Sequence, residues 1–574
     1  MQPPAPGFLR RAASLLARWS VDYGVPVMAF GPLAVLLSWS LFAVPGMPLT
    51  HDGLGLAFVE AYRRSYRGGD YFPLWTPFAE AGHGSAFPIL YHRLHAQVFG
   101  LLAVKLGSLI ALKVSIPMLL VVGAVGMRRL GLAMGVRPWL AWIAGVLLMA
   151  APYVVTDWFV RGATAEFTAF MLVPWCLREA LRAFDDDWGP VRLAVASALL
   201  FYAHMMTFYV FVLVAFVVIA GSLLGRRAFG WPGLRPAIRR GAVFVALLTC
   251  AIGPYAAAVK YAVAFSGLNK LEMRGDDEAY YPLTSFFADP NFSWSRAQYS
   301  GDVSVEIGRW ALLCLGVALL VEPAARTALR RVLGLVVLAI AFLGLQRKEM
   351  SFVFGDVPGA AAIQLPTRLL VYIVPIVLLC MAMALEQALR SKRPWVRAVA
   401  LVMPAVAAAG QVTLAASTQR AIWGQQVARS DIDQAMDNEQ DVTTGKMAVY
   451  SAWHLFAPKR QGSPPAAPFL EAKGDCAISS PGLMDVESTQ VVASNVPVSP
   501  VSLTVHGHDC SVTSNQYQSS LLRADFSGPG ELRSADDGTT ILVVPDGGTR
   551  VRLRERGVLD LAGKWVIEKL SRRP

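Results

Sequence analysis

Apolar residues dominate the first 418 positions, in long stretches separated by short basic or polar segments. The first stretch, 24–44, carries no charge, and as a helix it is long enough to span roughly 30 Å of hydrocarbon. Later apolar stretches lie at 109–127, 138–155, 164–177, 193–206, 207–224, 241–262, 310–321, 332–345, 369–385 and 398–415. The pattern predicts a polytopic α-helical membrane protein with about eleven crossings.

Basic residues alternate between the two sides of these crossings. Arg and Lys cluster before the first crossing and in every second connection after it, and the other connections hold fewer basic residues mixed with acids. The clusters lie at 10–18, 128–129, 226–240, 326–331 and 390–397. By the positive-inside rule the N-terminus is cytoplasmic and the alternate loops are periplasmic, which predicts a multi-pass protein of a bacterial inner membrane.

Overall composition supports this class. The 574 residues are 55% hydrophobic and 16% charged, with a mean hydropathy of +0.46. The net charge of +12 comes mostly from the topology clusters, and no basic soluble face with interleaved aromatic residues is visible. We therefore expect a lipid bilayer as a partner and no nucleic acid.

Between the loop of Asp52 on the periplasmic side and Arg128-Arg129 on the cytoplasmic side there must be an odd number of crossings, yet 94–127 contains two apolar runs. We predict that only 109–127 crosses, and that 92–107, interrupted by Lys105, lies at the membrane surface or is partly inserted. The first periplasmic loop then extends over 45–107.

After about Thr418 the chain becomes polar. Alternating segments such as 501–505 and 540–544 predict strands, and Asp-Gly pairs at 537–538 and 546–547 are typical of turns. The sequence thus predicts a membrane domain over 1–418 and a periplasmic β-rich domain over 419–574, which ends in a short amphipathic helix at 558–574.

The cysteines fit this division. Cys176, Cys250, Cys314 and Cys380 lie in apolar stretches, where a free thiol behaves as a small hydrophobic group. Cys476 and Cys510 both lie in the predicted periplasmic domain, an oxidising space, so we predict a disulfide between them. No Cys or His spacing indicates a zinc site.

The first periplasmic loop carries the most distinctive chemistry. His51 and Asp52 follow the first crossing directly, where a carboxylate gains nothing from lipid. Further on, the loop is rich in Gly, Pro and aromatic residues and includes Asp70, Trp75 and Tyr91. For a single residue of such a loop, a structural role at the headgroup level is the simpler interpretation.

Several of these motifs resemble a known group of proteins. They are Gly69-x-Tyr71-x-Pro73-x-Trp75-x-Pro77, Gly82-x-Gly84 with 88–94, 161–166 with Pro174, and 364–368. Together they resemble the bacterial membrane family labelled as related to 6-pyruvoyl-tetrahydropterin synthase, which is similar to YfhO-type proteins and to glycosyltransferases of the GT-C fold. The family pattern would have Tyr-x-Pro-Leu where this chain has 91–94, and the β-rich domain is poorly matched.

This resemblance implies a hexosyl- or pentosyltransferase that takes a sugar from a polyprenyl-phosphate donor. The sugar would pass, with inversion, to a glycan, lipid or protein acceptor of the cell envelope. Such a reaction needs a base for the acceptor hydroxyl and cations for the leaving phosphate. Asp52 is the candidate base, with His51 orienting it or the sugar. Glu60 and Asp70 are weaker alternatives, and Glu60 could simply face solvent.

A second set of polar residues lies near the predicted periplasmic ends of crossings: Arg161, Glu166, His204 and Arg368. Arg368, at the start of a helix, is the better candidate phosphate ligand because a guanidinium offers two parallel donors, with snorkelling as its alternative. Arg161 could help, or could pair with Glu166 alone. We predict a supporting or substrate-binding role for Glu166, His204, Asp70, Trp75 and Tyr91.

Other functions remain open at this level. A transporter or lipid flippase would place similar polar residues along a path at mid-membrane, usually with internal repeats, and no convincing repeat is visible. A non-catalytic assembly factor for envelope polysaccharide would need no base at Asp52. No cofactor is certain, a divalent cation is left open, and the acidic run at 276–278 lacks the spacing of a calcium loop.

Overall fold

A computed structural model provides the three-dimensional structure of the protein. It describes residues 20–43, 46, 50, 55–76, 86–225, 231–265, 280–287, 304–357, 360–363, 365–423, 470–473, 477–479, 501–506, 509–517, 521–534, 539–545, 549–555 and 558–571. The chain divides into two compact units, one made of Met1–Asp52, Lys113–Leu247 and Glu272–Ala428, the other of Gly53–Leu112, Leu248–Leu271 and Arg429–Pro574.

The described residues up to position 423 are mainly helical. They are α1 (Val25–Leu37), α2 (Trp39–Phe42), α3 (Gly55–Arg67), α4 (Phe87–Leu90), α5 (Arg93–Leu106), α6 (Ser108–Ala133), α7 (Pro138–Met149), α8 (Pro152–Val155), α9 (Thr164–Leu181), α10 (Gly189–Ala203), α11 (Met205–Gly225), α12 (Trp231–Phe265), α13 (Arg309–Val321), α14 (Pro323–Leu329), α15 (Leu333–Gly344), α16 (Ser351–Asp356), α17 (Leu370–Ala388) and α18 (Pro394–Trp423). Short π- and 3₁₀-helical turns at Ser20–Gly24, Thr156–Arg161, Leu283–Phe286, Arg330–Val332, Lys348–Met350, Ala360–Ile363 and Pro366–Leu369 join or extend them.

Among the described residues, six helical segments are long and apolar enough to cross a membrane, or seven if the bent pair Pro138–Met149 and Pro152–Arg161 forms one span. Three shorter apolar helices, Gly189–Ala203, Met205–Gly221 and Arg309–Val321, accompany them. The chain is therefore an α-helical, multi-pass membrane protein. The figure of about eleven crossings stays a prediction. Helix α5 (Arg93–Leu106), which corresponds to the segment 92–107, is not among the candidate spans of the described residues.

Helix α17 forms the centre of the first unit. In its apolar window 94% of the residues are buried, against 11% in the window of α12, because α7, α9, α13, α14 and α15 all pack on α17. Such a helix is hydrophobic all round, as a bundle core requires.

Hydrogen bonds between helix ends define one end of this bundle. The buried side chain of Gln419, near the end of α18, bonds the carbonyl of Leu37 and, at 3.0 Å, the hydroxyl of Ser40. At the other end of the bundle, Arg137 before α7 and Glu386 near the end of α17 form an ion pair at 3.2 Å. Polar pairs thus collect at both ends of the apolar bundle, as the predicted boundaries require.

The second unit contains α3, α5 and the C-terminal strands. The strands are β1 (Leu470–Lys473), β2 (Ala477–Ser479), β3 (Val501–His506), β4 (Cys510–Tyr517), β5 (Leu522–Phe526), β6 (Glu531–Ser534), β7 (Thr539–Val544) and β8 (Thr549–Glu555), and helix α19 (Val558–Ser571) follows. They form two antiparallel four-stranded sheets, ordered β1-β4-β7-β6 and β2-β3-β8-β5. The limits 1–418 and 419–574 stay a prediction.

Candidate active site

The candidate site begins at a broken helix. After α7 the chain bends by 44° and continues as α8 and the π-helical turn Thr156–Arg161, which is buried throughout. Gly162 ends the turn in the left-handed conformation, with φ +70°, before α9 begins. Local π-helical geometry is frequent at functional sites because it turns side chains away from the regular helical positions.

Arg161, at the end of this turn, is buried among acids. Its Nη1 and Nη2 donate to the two carboxylate oxygens of Glu166 at 3.0 Å each, and Nη1 also donates to Asp157 at 2.9 Å. Tyr153 donates its hydroxyl hydrogen to Glu166 at 2.9 Å. These partners compensate the cost of burying the charge. The pairing of Arg161 with Glu166 that the sequence suggested is therefore present.

Arg368 joins the same carboxylate from a distant part of the chain. It lies in the 3₁₀ turn that leads into α17, and its Nε is 3.1 Å from an oxygen of Glu166, without hydrogen-bond geometry. Its Nη1 donates to the carbonyl of Ile363 at 3.1 Å. The Arg368 side chain is 19% exposed, whereas that of Arg161 is buried, so Arg368 is the more accessible arginine of this ion network.

His204 occupies the break between α10 and α11, in extended backbone. Its Nδ1 lies 2.8 Å from the Thr207 hydroxyl and accepts the Thr207 backbone N–H at 3.3 Å, which leaves the ring proton on Nε2. Arg161 and Arg368 are close enough to act on the ring electrostatically. All four residues of the second predicted set therefore lie at the same end of the bundle.

Sequence reasoning missed three polar residues around this network: Tyr153, Asp157 and Tyr372. Tyr372 donates to the carbonyl of Thr207 at 2.5 Å, which supports the helix break at His204. Tyr153, Asp157 and Arg161 are spaced four residues apart in an apolar stretch, and this helical spacing could have revealed Tyr153 and Asp157. We refer to Tyr153, Asp157, Arg161, Glu166 and Arg368 as the Glu166 cluster.

The first-loop residues His51 and Asp52 lie outside the described residues. Thr50, just before them, is described and packs against the broken helix. A Cβ atom added to Gly162 would lie 2.3 Å from the Thr50 hydroxyl oxygen. The start of the first loop therefore touches the residue that follows Arg161.

Three other predicted residues belong to the second unit. Asp70 accepts the backbone N–H of Phe72 at 3.0 Å, a turn-forming contact. Trp75 is buried, and Tyr91 lies against Phe58 with ring centroids 4.3 Å apart. Their contacts in this unit are structural, and their supporting or substrate-binding role stays a prediction.

Glu60 differs from one expectation. The interpretation that it faces solvent is wrong, because the residue is buried and its carboxylate binds Arg63 at 2.6 Å, Arg64 at 2.8 Å and Ser108 at 2.5 Å. Burial opposes ionisation, but the hydrogen bonds from Arg63, Ser108 and Arg64 outweigh it and hold the pKa of Glu60 below its ordinary value of 4.5. We refer to these four residues as the Glu60 cluster.

Cys176, Cys250, Cys314 and Cys380 are free. Cys510 takes part in a disulfide, and Cys476 lies outside the described residues, so their pairing stays a prediction. Within the described part of the chain, no three His, Cys, Asp or Glu residues are grouped so that they could hold a metal ion.

Comparison with known proteins finds distant structural likenesses only. No family model and no curated protein matches the chain. The solved structure of the arabinofuranosyltransferase AftD from Mycobacteria matches at 20% identity and TM-score 0.45, over 68% of this chain and 27% of that protein. The apo oligosaccharyltransferase of Archaeoglobus fulgidus matches at 13% identity and TM-score 0.43, over 77% and 62%.

This chain thus spans about a quarter of the length of the mycobacterial enzyme. At these TM-scores the likeness is loose and does not decide the activity of this protein. The similarity to the pterin-synthase-related family inferred from the sequence motifs likewise stays a prediction.

Proposed function

We propose that the protein is a membrane glycosyltransferase of the GT-C type. It takes a sugar from a polyprenyl-phosphate donor in the bilayer and passes it to a glycan, lipid or protein acceptor of the cell envelope. The reaction takes place at the end of the bundle that holds the Glu166 cluster, which the charge pattern predicts to be periplasmic. The donor and the acceptor are proposed from the sequence motifs.

The position of Arg368 is the observation that carries this proposal. An arginine side chain that is partly exposed at the end of an apolar bundle is suited to meet a lipid phosphate, because a guanidinium offers two parallel donors. Ile363 and Glu166 hold the side chain in place before any ligand arrives, so little reorganisation is needed to stabilise a leaving phosphate.

Glu166 and Arg161 act as positioning residues in this scheme. Because Arg161 neutralises the carboxylate through two hydrogen bonds, Glu166 retains only part of its attraction for Arg368. Arg368 can then exchange that contact for a phosphate. The proton on Nε2 of His204 offers a further donor near the two arginines.

Asp52 acts as the base that takes the proton from the acceptor hydroxyl. In the sequence Asp52 follows Thr50 by two residues, and Thr50 packs against Gly162, beside Arg161. A base and a phosphate ligand of one reaction must meet at the same donor, so this proposal requires the Asp52 carboxylate to approach the sugar held at the Glu166 cluster.

The test is complementation of a deletion strain with Asp52→Asn, followed by mass spectrometry of the envelope glycans. We expect normal membrane levels of the variant and loss of one sugar from the glycan. Glu349→Gln is the matched control, because Glu349 is an exposed carboxylate that forms a local ion pair with Arg347. Full activity of Asp52→Asn would remove the base and favour a transporter, a flippase or an assembly factor.

A further inference from the structure

The C-terminal helix α19 exposes a large apolar side chain. Leu559 is 76% exposed, whereas Leu561 in the same turn is buried. Asp560 accepts a hydrogen bond from Arg523 of β5 at 3.3 Å, which holds the helix to the sheet β2-β3-β8-β5. Leu559 is therefore exposed on a helix that is fixed to its domain.

The next turn of α19 contacts the end of a candidate membrane span. The Nζ atom of Lys564 lies 5.3 Å from the ring centroid of Tyr261 in α12, and Nζ of Lys260 lies 5.7 Å from the same ring. Cations at this distance are attracted to the face of an aromatic ring. Helix α19 is thus attached to α12 at Tyr261.

Tyr261 marks the level at which α12 leaves the bilayer. The candidate span in this helix is Arg235–Val263. Within it, the segment from 241 to 259 has no charged residue and is bounded by Arg240 and Lys260, so its helical length matches the roughly 30 Å of a hydrocarbon core. Tyr and Lys are typical of the boundary between hydrocarbon and headgroups.

We propose that α19 is an interfacial helix that binds the surface of an anionic phospholipid membrane beside α12. Leu559 inserts at the boundary between headgroups and acyl chains, and Lys564 faces lipid phosphates. An exposed leucine on a helix that also carries an exposed lysine beside a membrane span is typical of helices that lie in the headgroup layer.

The first experiment measures the depth of position 559 in the full-length protein. The free cysteines are replaced by alanine, Leu559→Cys is labelled with a nitroxide, and the protein is reconstituted into phosphatidylcholine bilayers with or without phosphatidylglycerol. Glu531→Cys, at an exposed position of β6, is the matched control. Electron paramagnetic resonance then measures how accessible the nitroxide is to two relaxing agents, oxygen and a water-soluble nickel complex.

We expect the label at 559 to be more accessible to oxygen than to nickel, with the opposite order at 531, and to lie deeper when phosphatidylglycerol is present. A label at 559 that nickel reaches as readily as at 531 would overturn the proposal. Shielding of 559 from both agents would overturn it too, because it would indicate a protein or a glycan as the occupant.

A second measurement keeps the native cysteines. Hydrogen exchange of the amides in 558–571 is compared between wild type and Leu559→Glu in phosphatidylglycerol-containing nanodiscs. We expect exchange about tenfold faster in the variant, because the helix loses its lipid contact, and no difference in detergent. Equal exchange in nanodiscs would contradict the proposal.

Discussion

Two buried glutamates of this protein are held by arginines in different ways. Glu60 binds Arg63 and Arg64 of its own helix, whereas Glu166 binds Arg161 across a helix break and Arg368 from a distant segment. The Glu60 cluster stabilises one helix and its neighbour. The Glu166 cluster joins α8, the π-helical turn, α9 and the 3₁₀ turn before α17, and one of its arginines is partly exposed, so of the two clusters this one has the form of a site.

The largest difference is expected from removal of each carboxylate charge. Glu166→Gln removes the carboxylate charge that lies against both Arg161 and Arg368 and leaves Arg161 with the Asp157 carboxylate, so we expect a loss of about 3–5 kcal/mol in unfolding free energy. Glu60→Gln should cost roughly 1–3 kcal/mol, because Arg63 and Arg64 are partly exposed and reach water. Thermal unfolding in detergent measures both variants. Equal losses would contradict the distinction between a local cluster and one that joins distant elements.

The second prediction concerns activity without loss of the fold. Arg368→Gln should lower the rate of sugar transfer by about 10²–10³, as removal of one preorganised donor does in other enzymes, while Glu166 keeps its two bonds to Arg161. Transfer from a polyprenyl-phosphate sugar is assayed in membranes. Arg347→Gln is the control and should be active, because Arg347 is exposed and forms a local ion pair with Glu349. Normal activity of the Arg368 variant would remove it from the mechanism.

A pair of glycine variants tests the contact between the first loop and the broken helix. Gly162 and Gly69 both have positive φ angles, but an added Cβ meets Thr50 at Gly162 and open space at Gly69. Alanine at either position should cost about 1–2 kcal/mol from backbone strain. Only Gly162→Ala displaces Thr50, so only this variant should also lose transfer activity. Equal activity of the two variants would mean that the Thr50 contact does not align Asp52.

The smallest effect is the pH dependence of the Glu60 cluster. Since the pKa of Glu60 is lower in the folded state, its stabilisation is present above the unfolded value near 4.5 and is lost as pH falls through the folded pKa. Wild type should therefore lose more thermal stability between pH 6 and pH 3.5 than Glu60→Gln, which cannot titrate. Unfolding temperatures over this range decide the matter, and parallel curves would assign the acid sensitivity to other groups.

Local patterns were sufficient for much of the fold. The apolar runs predicted the helical membrane class, and the segments 501–505 and 540–544 lie within strands Val501–His506 and Thr539–Val544. These features depend on neighbouring residues, through the period of the side chains and the length that crosses a bilayer. The same reasoning selected Arg161, Glu166, His204 and Arg368 from their positions near the ends of apolar segments.

The contacts of Glu60 with Arg63 and Arg64 follow from local spacing, because residues three and four apart come together on a helix. Local spacing does not reveal that Glu60 is buried against Ser108, nor that Arg368 reaches Glu166 and stays partly exposed. Those facts depend on which helices pack together and on where the chain bends after α7. They follow from tertiary packing, since the burial of a charge is set by all the elements that surround it.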